Sequence, residues 1–268
     1  LFSYITIMKK LILIIFFVLS FYSLFVEPAM LKVHRCTVKD SELKGVKIVF
    51  VSDFHIKSNQ QKRLKKIVEL INKEEPDLVL SVGDYVSGHT KRSTMSIEDI
   101  AKALGKVSSK YGFYTSLGNH DGWYGVDIVT KNLEDNGIKV LNNRNIKVRI
   151  KNKDIYIAGV EDLMTGNPDI SEALRNINSP IVLLTHSPDV FPKVLQKVNL
   201  TLAGHTHGGQ VRIPIFGPIF TASEYYDKYA QGLIVENNNK MLVTRGIGTS
   251  ILPIRFNCPP EINVIEFD

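Results

Sequence analysis

Nine side chains capable of metal binding or proton transfer fall in five short groups: Asp53 with His55, Asp84, Asn119 with His120 and Asp121, His186, and His205 with His207. Taken singly, each has an ordinary reading, since Asp-x-His and Gly-Asp are common turns and an isolated histidine is commonly a hydrogen-bonded one. Together they take in five of the seven histidines of the chain. Imidazoles and carboxylates are the ligands expected for Mn²⁺, Fe or Zn²⁺. The two cysteines, Cys36 and Cys258, stand outside the groups, which argues against a thiolate-closed structural zinc site. A carboxylate can bridge two cations, and two cations roughly 3.5–4 Å apart can hold a hydroxide, polarise phosphoryl oxygens and offset the charge of an in-line displacement. The chemistry such a set supports is hydrolysis of phosphate esters.

These groups need a frame that brings them together, and the hydrophobic periodicity supplies one. Residues 46–51 (VKIVFV) read as a buried strand, Leu64, Ile67, Val68 and Ile71 fall at helical spacing, and residues 77–82 (DLVLSV) form a second strand, making a βαβ unit. Further strands are expected at 112–117, near 146–160, at 180–185 and at 200–203, with a helix over 123–136. Residues 232–236 and 240–244 read as a hairpin around Asn237-Asn238-Asn239. The alternation indicates an α/β domain. Every candidate group then lies just after a strand, at the carboxyl ends where α/β sheets gather ligand-binding groups.

The length of 268 residues, with 44% hydrophobic and 22% charged residues, describes a globular chain and excludes collagen-like and disordered classes. No Gly-x-x-x-x-Gly-Lys-Ser/Thr loop, dinucleotide fingerprint or Gly-x-Ser-x-Gly elbow occurs. The net charge of +6 falls to +4 without Lys9 and Lys10, with 31 basic residues against 27 acidic ones. That is mild attraction toward anionic partners, short of the balance of a nucleic-acid binder. Residues 11–26 carry no charge and end at Glu27-Pro28, after Met8-Lys9-Lys10, where translation is expected to start. As a helix this run would be about 24 Å long, so signal peptide, anchor and interfacial helix compete with a buried core helix. No Ala-x-Ala-like site follows, which favours an uncleaved anchor and a membrane-associated protein. Basic residues on both sides leave its orientation open. The expected organisation is a hydrophobic segment over 1–27 and one catalytic domain over 28–268.

In order, Asp53-Phe54-His55, Gly83-Asp84, Gly118-Asn119-His120-Asp121, His186 and Gly204-His205-Thr206-His207 resemble the signature of the calcineurin-like, binuclear metallophosphoesterase superfamily over residues 46–207. The resemblance implies a four-layer α/β/β/α sandwich, where the pattern alone leaves a three-layer sheet open. It implies two divalent metal ions, manganese first and iron or zinc as alternatives. One would be held by Asp53, His55, Asp84 and His207, the other by Asp84, Asn119, His186 and His205, with Asp84 as the bridge. His120 is then a non-ligand that meets the phosphate or protonates the leaving group, oriented by Asp121.

Residues 204–210 (GHTHGGQ), 245–250 (RGIGTS) and 255–261 (RFNCPPE) are similar to those of membrane-associated bacterial phosphoesterases. That branch includes exported cell-wall phosphodiesterases and lipid A enzymes that cleave the diphosphate of UDP-2,3-diacylglucosamine. Lys9-Lys10 stands where a twin-arginine export signal would be, which favours the lipid-linked substrate. A cell-wall or nucleic-acid phosphodiesterase and a non-catalytic metal-binding module are the alternatives. Among remaining residues, Trp123 and Cys258 are expected to be packed, His34 and His89 to lie on the surface, and Lys62, Arg63, Lys65 and Lys66 to form a solvated helix face. Arg245 and Arg255 divide evenly between phosphate contact and packing.

Overall fold

A computed structural model describes residues 2–88, 93–178 and 180–268; His89 lies outside them. The first element is α1 (Phe2–Phe21), which continues through a widened turn at Tyr22–Val26 and a 3₁₀ turn at Glu27–Ala29. There follow β1 (Lys32–Val38), β2 (Lys47–Val51), α2 (Gln61–Lys73), β3 (Leu78–Ser81), α3 (Ile97–Leu104), β4 (Phe113–Thr115), α4 (Asn119–Asp135) and β5 (Ile138–Val140). The second half runs β6 (Arg144–Ile150), β7 (Lys153–Gly159), α5 (Ile170–Ala173), β8 (Ile181–Leu184), β9 (Leu200–Ala203), β10 (Arg212–Ile213), β11 (Gly217–Pro218), β12 (Gly232–Glu236), β13 (Asn239–Val243) and β14 (Glu261–Phe267).

The strands form two six-stranded sheets, ordered β1-β14-β2-β3-β4-β5 and β12-β13-β9-β8-β7-β6. Within them β2 to β5 are mutually parallel, as are β7, β8 and β9. Successive side chains of a strand face opposite ways, and here both faces are buried. Ile48, Phe50, Leu78 and Leu80 point to the other sheet and meet Val182, Leu184, Leu200 and Leu202 in the central core. Val49, Val51 and Val79 point outward against Leu64, Ile67 and Ile71 of α2 and Ile100 and Leu104 of α3. Ile181 and Leu183 pack on the far side against Ala173, Leu174 and Val190. The result is the four-layer α/β/β/α sandwich. Its fourth layer is thin, made of α5 and a 3₁₀ segment at Pro188–Lys193.

Three local differences from the sequence reading have simple causes. Helix α4 begins at Asn119 rather than 123, because the Asp121 carboxylate accepts the N–H of Gly118 and closes the first turn. The β12–β13 loop has only two residues: Asn237 and Asn238 both adopt positive φ, the geometry of a type I′ turn, and Asn239 pairs with Glu236 in the ladder. Arg63 leaves the solvated face of α2 and donates to the carbonyls of Pro28 and Ile247.

Helix α1 is exposed from Tyr4 onward, with Ser20 half-buried. Residues Tyr4–Ala29 are long and apolar enough to cross a membrane, with a mean hydropathy of 2.2 over an 18-residue window within them. Including residues on both sides of Lys9 and Lys10, this stretch is longer than the uncharged run at 11–26. Its end is tied firmly to the domain. Glu27 is buried and its carboxylate accepts the N–H groups of Asn257 and Cys258, while Arg255 N donates to Ser23 O at 2.9 Å.

Candidate metal centre

The segments that follow β2, β3 and β4 in one sheet and β8 and β9 in the other carry all the candidate residues. Asp53 and His55 follow β2, Asp84 follows β3, Asn119 and His120 open α4 after β4, His186 follows β8, and His205 and His207 follow β9. The loops are laced by their backbones: Asp53 N donates to Gly83 O, His55 N to Asp84 O, and Gly204 N to His186 O, each at 3.0 Å. Bonds also cross between the sheets, among them that from His205 N to Asp53 Oδ1 at 2.9 Å. Asp53, His55, Asp84, His205 and His207 all have left-handed backbone, with φ between 42° and 70°. Non-glycine residues rarely adopt it, and the surrounding hydrogen bonds hold them there. Gly118 is required by closeness: a Cβ on it would sit 2.2 Å from Asp84 Oδ1 and 2.7 Å from the His186 ring.

The donor atoms converge in two overlapping clusters. In the first, His55 Nε2 and His207 Nε2 are 3.0 Å apart, His207 Nε2 is 3.6 Å from Asp53 Oδ1, and His55 Nε2 is 3.3 Å from Asp84 Oδ2. In the second, His186 Nε2 is 3.4 Å from the same Asp84 Oδ2, 3.1 Å from Asn119 Oδ1 and 3.2 Å from His205 Nδ1. Bonds of about 2.0–2.2 Å to a shared cation put neighbouring donors roughly 3.0–3.5 Å apart. The observed spacings fit that requirement. All seven donor residues are buried save His205, which is half-buried. The remaining nitrogen of His186, Nδ1, is 2.7 Å from Val82 O, which turns Nε2 toward the cluster.

Electrostatics prepares the same set. Burial, reinforced by neighbouring imidazoles, pushes His55 down to about 3, His205 down to about 4 and His207 well below the ordinary histidine value. These rings are neutral and keep their lone pairs. For His186 burial works against the proton, but the charges of Asp84 and Asp53 outweigh it and raise the group to about 10. Asp84 is buried too, yet the imidazole partners hold its carboxyl well below the usual range. These shifts favour a proton on His186 beside an ionised Asp84, with His55, His205 and His207 neutral. A cation can replace that proton.

His120 occupies the half-buried lip. Its N–H donates to Asp84 Oδ1 at 2.8 Å and its ring meets His55 edge-on at 4.5 Å. It also lies with His55 and Asp84 in a group whose ligand atoms are all within 4.8 Å, so proximity alone does not separate it from the ligands. Trp123 stands edge-on to His120 at 5.0 Å and is 40% exposed, so it borders the opening rather than packing inside. Asp121 accepts the N–H groups of Asp84, Gly118 and Tyr85, and burial with the nearby Asp84 charge raises it to about 7. Arg245 and Arg255 take structural roles: Arg245 pairs with Glu261, and fully buried Arg255 donates to carbonyls of Arg245, Gly246, Gly248 and Cys258.

Residues 46–209 match the family model described as Calcineurin-like phosphoesterase. The chain is 33% identical over 253 residues to the metallophosphoesterase YkuE of Bacillus subtilis (strain 168), covering 91% of this chain and 87% of that one. It is 30% identical over 256 residues to Phosphodiesterase YaeI of Escherichia coli (strain K12), covering 91% of each. Among solved structures, a 5'-nucleotidase precursor from Thermus thermophilus aligns with a TM-score of 0.50 at 16% identity, over 75% of this chain and 49% of that one. That last likeness concerns the fold alone.

Proposed function

The chain belongs to the calcineurin-like phosphoesterase family and is a metal-dependent phosphoester hydrolase, and on that premise we propose that it cleaves a phosphodiester or diphosphate bond at a membrane surface with two cations. The observation that carries the reading is the position of Asp84 Oδ2, which is 3.3 Å from His55 Nε2 and 3.4 Å from His186 Nε2 and so belongs to both donor clusters. Asp53, His55, Asp84 and His207 would hold one cation, and Asp84, Asn119, His186 and His205 the other, with Mn²⁺ as the favoured ion. Bound there, the cations would supply Lewis acidity toward the phosphoryl oxygens and would lower the pKa of a water. The chain does the rest. Buried imidazoles hold their donor atoms in fixed places, and the backbone N–H of His120 fixes the second oxygen of Asp84. The His120 side chain, at the lip, delivers a proton to the departing oxygen.

A lipid-linked substrate of the UDP-2,3-diacylglucosamine class is supported by three features. Helix α1 serves as an uncleaved anchor, so the site meets membrane-embedded phosphates at high effective concentration. The opening has an apolar border in Trp123, with Met164 of the adjoining loop also exposed. The mild positive charge favours anionic headgroups. The test is a panel on full-length protein loaded with Mn²⁺, Fe²⁺ or Zn²⁺, comparing a generic bis-ester, a monoester, UDP-diacylglucosamine, its deacylated analogue and DNA. Preference for the acylated diphosphate supports the reading. Equal kcat/KM with and without acyl chains overturns the lipid part, and inactivity toward every ester after metal loading overturns the catalytic part.

A further inference from the structure

We infer that the β10–β11 hairpin and the loop at 249–252 enter the lipid interface beside α1, giving the domain a second membrane attachment at the edge of its active site. The inference rests on the membrane anchoring by α1 proposed above.

The hairpin projects apolar side chains into solvent. Ile215 is 103% exposed and Phe216 83%, with Ile219 and Phe220 about two-thirds exposed, and across from them Ile251 is 92% exposed and Leu252 more than half. Ile215 and Ile251 both have left-handed backbone, at φ 74° and 60°. At a turn tip needing that conformation glycine or asparagine is the cheap residue, and a β-branched side chain is an outlier. An isoleucine that is costly for the backbone and buries nothing in its own domain is placed for something outside it. Exposed patches of this kind mark interaction surfaces.

The occupant follows from what the hairpin is fastened to. Arg212 N donates to Phe256 O and Phe256 N to Gln210 O, both at 2.9 Å, joining the base of the hairpin to the segment after Leu252. Gln210 Nε2 donates to Ser250 O at 2.9 Å, and Ser250 N returns a bond to Gln210 Oε1 at 2.8 Å, fixing the second loop to the first. Arg255, next along that segment, donates its backbone N–H to Ser23 O in the last turns of the apolar N-terminal stretch. Exposed Leu24 and Phe25 continue that stretch. The base of the hairpin, the loop at 249–252 and the turn after α1 are therefore held together by short hydrogen-bonded links, so the medium that receives α1 lies beside the exposed Ile215 and Ile251 as well. His207, a candidate ligand, is three residues before Gln210. Insertion would thus hold the opening of the site at the headgroup level.

The experiment uses the full chain in a Cys36→Ser background, leaving Cys258 buried. Single cysteines replace Phe16, Ile215, Ile251 and Leu195, the last on the return connection toward the start of β9. Each carries an environment-sensitive fluorophore, and the protein is reconstituted in vesicles of phosphatidylcholine and phosphatidylglycerol with or without doxyl-labelled lipid. Blue-shifted, doxyl-quenched emission at 16, 215 and 251, with none at 195, is expected. Ile215→Asp with Phe216→Asp should abolish the signal from 251 and leave turnover of a soluble bis-ester unchanged. Quenching at 16 without quenching at 215 and 251 overturns the second attachment alone, and no quenching at any site overturns it together with the anchor. A concentration-dependent blue shift without vesicles means that a second copy covers the loops and also overturns it. None of these readouts depends on turnover of the proposed substrate.

Discussion

Asp121 Oδ2 accepts the backbone N–H of Asp84 at 2.7 Å while also accepting that of Gly118 at 3.1 Å, so one buried carboxylate clamps the loops after β3 and β4 against each other. Asp121 is thus a positioning residue for the proposed bridge. Asp121→Asn keeps the volume but turns one acceptor into a donor facing N–H groups. Loss of such an outer partner typically costs about 10- to 100-fold in metal affinity or activity. Metal titration followed by activity at saturating metal checks this: a deficit that excess metal restores is the expected signature of displaced Asp84.

Asp84→Asn or His207→Ala should lower metal content and turnover together, because each removes a donor from the clusters described above. Elemental analysis of the purified variants checks it. A wild-type protein fully active with one metal per chain would contradict the two-cation reading.

His120→Ala should reduce turnover by roughly 10²- to 10⁴-fold with metal content intact, if His120 serves the leaving oxygen rather than a cation. A diester with a very acidic leaving group should lose much less, since it departs without a proton. Loss of metal from the variant would make His120 a ligand, which its place beside His55 and Asp84 also permits.

Loading the metal-free protein should release a proton. His186 is raised to about 10 by the carboxylates around it, so near neutral pH it is charged in the folded metal-free state. A raised histidine contributes stability that is fully present below its unfolded value of about 6.5 and is lost as pH rises through the folded one. Metal competes with that proton, so affinity should rise about tenfold per pH unit across this window. Calorimetry at pH 7.5 in buffers of different ionisation enthalpy should report at least one proton released, a cation-bound water supplying any excess. Zero would contradict the Asp84–His186 pair.

Arg255→Lys should destabilise the fold by roughly 3 kcal/mol or more, because a lysine cannot reach the carbonyls that the planar guanidinium spans and leaves buried acceptors unmet. Urea unfolding in detergent checks this. Turnover per folded molecule should stay near wild type, since Arg255 bonds to backbone and not to the donor clusters.

The residue types and their order along the chain already determined the α/β class, the positions of strands β2, β3, β8 and β9, the buried face of α2, and the set of side chains that converge at the strand ends. These are local matters: periodicity reports which residues leave water, and a strand's carboxyl end is fixed by where it stops. The layer count required the tertiary structure, because strand segments such as 48–51 and 181–184 are apolar on both faces, and an unbroken apolar run looks the same between two sheets as between a sheet and a helix. The parts taken by Asp121, Arg63, Arg255 and Glu27 were equally out of reach, since each depends on which backbone groups of distant segments lie within about 3 Å, not on residue type. So were the left-handed conformations of Asp53, His55, Asp84, His205 and His207. No local signal asks an aspartate or histidine to adopt them; bonds from neighbouring loops do, and those loops meet only when the two sheets have packed.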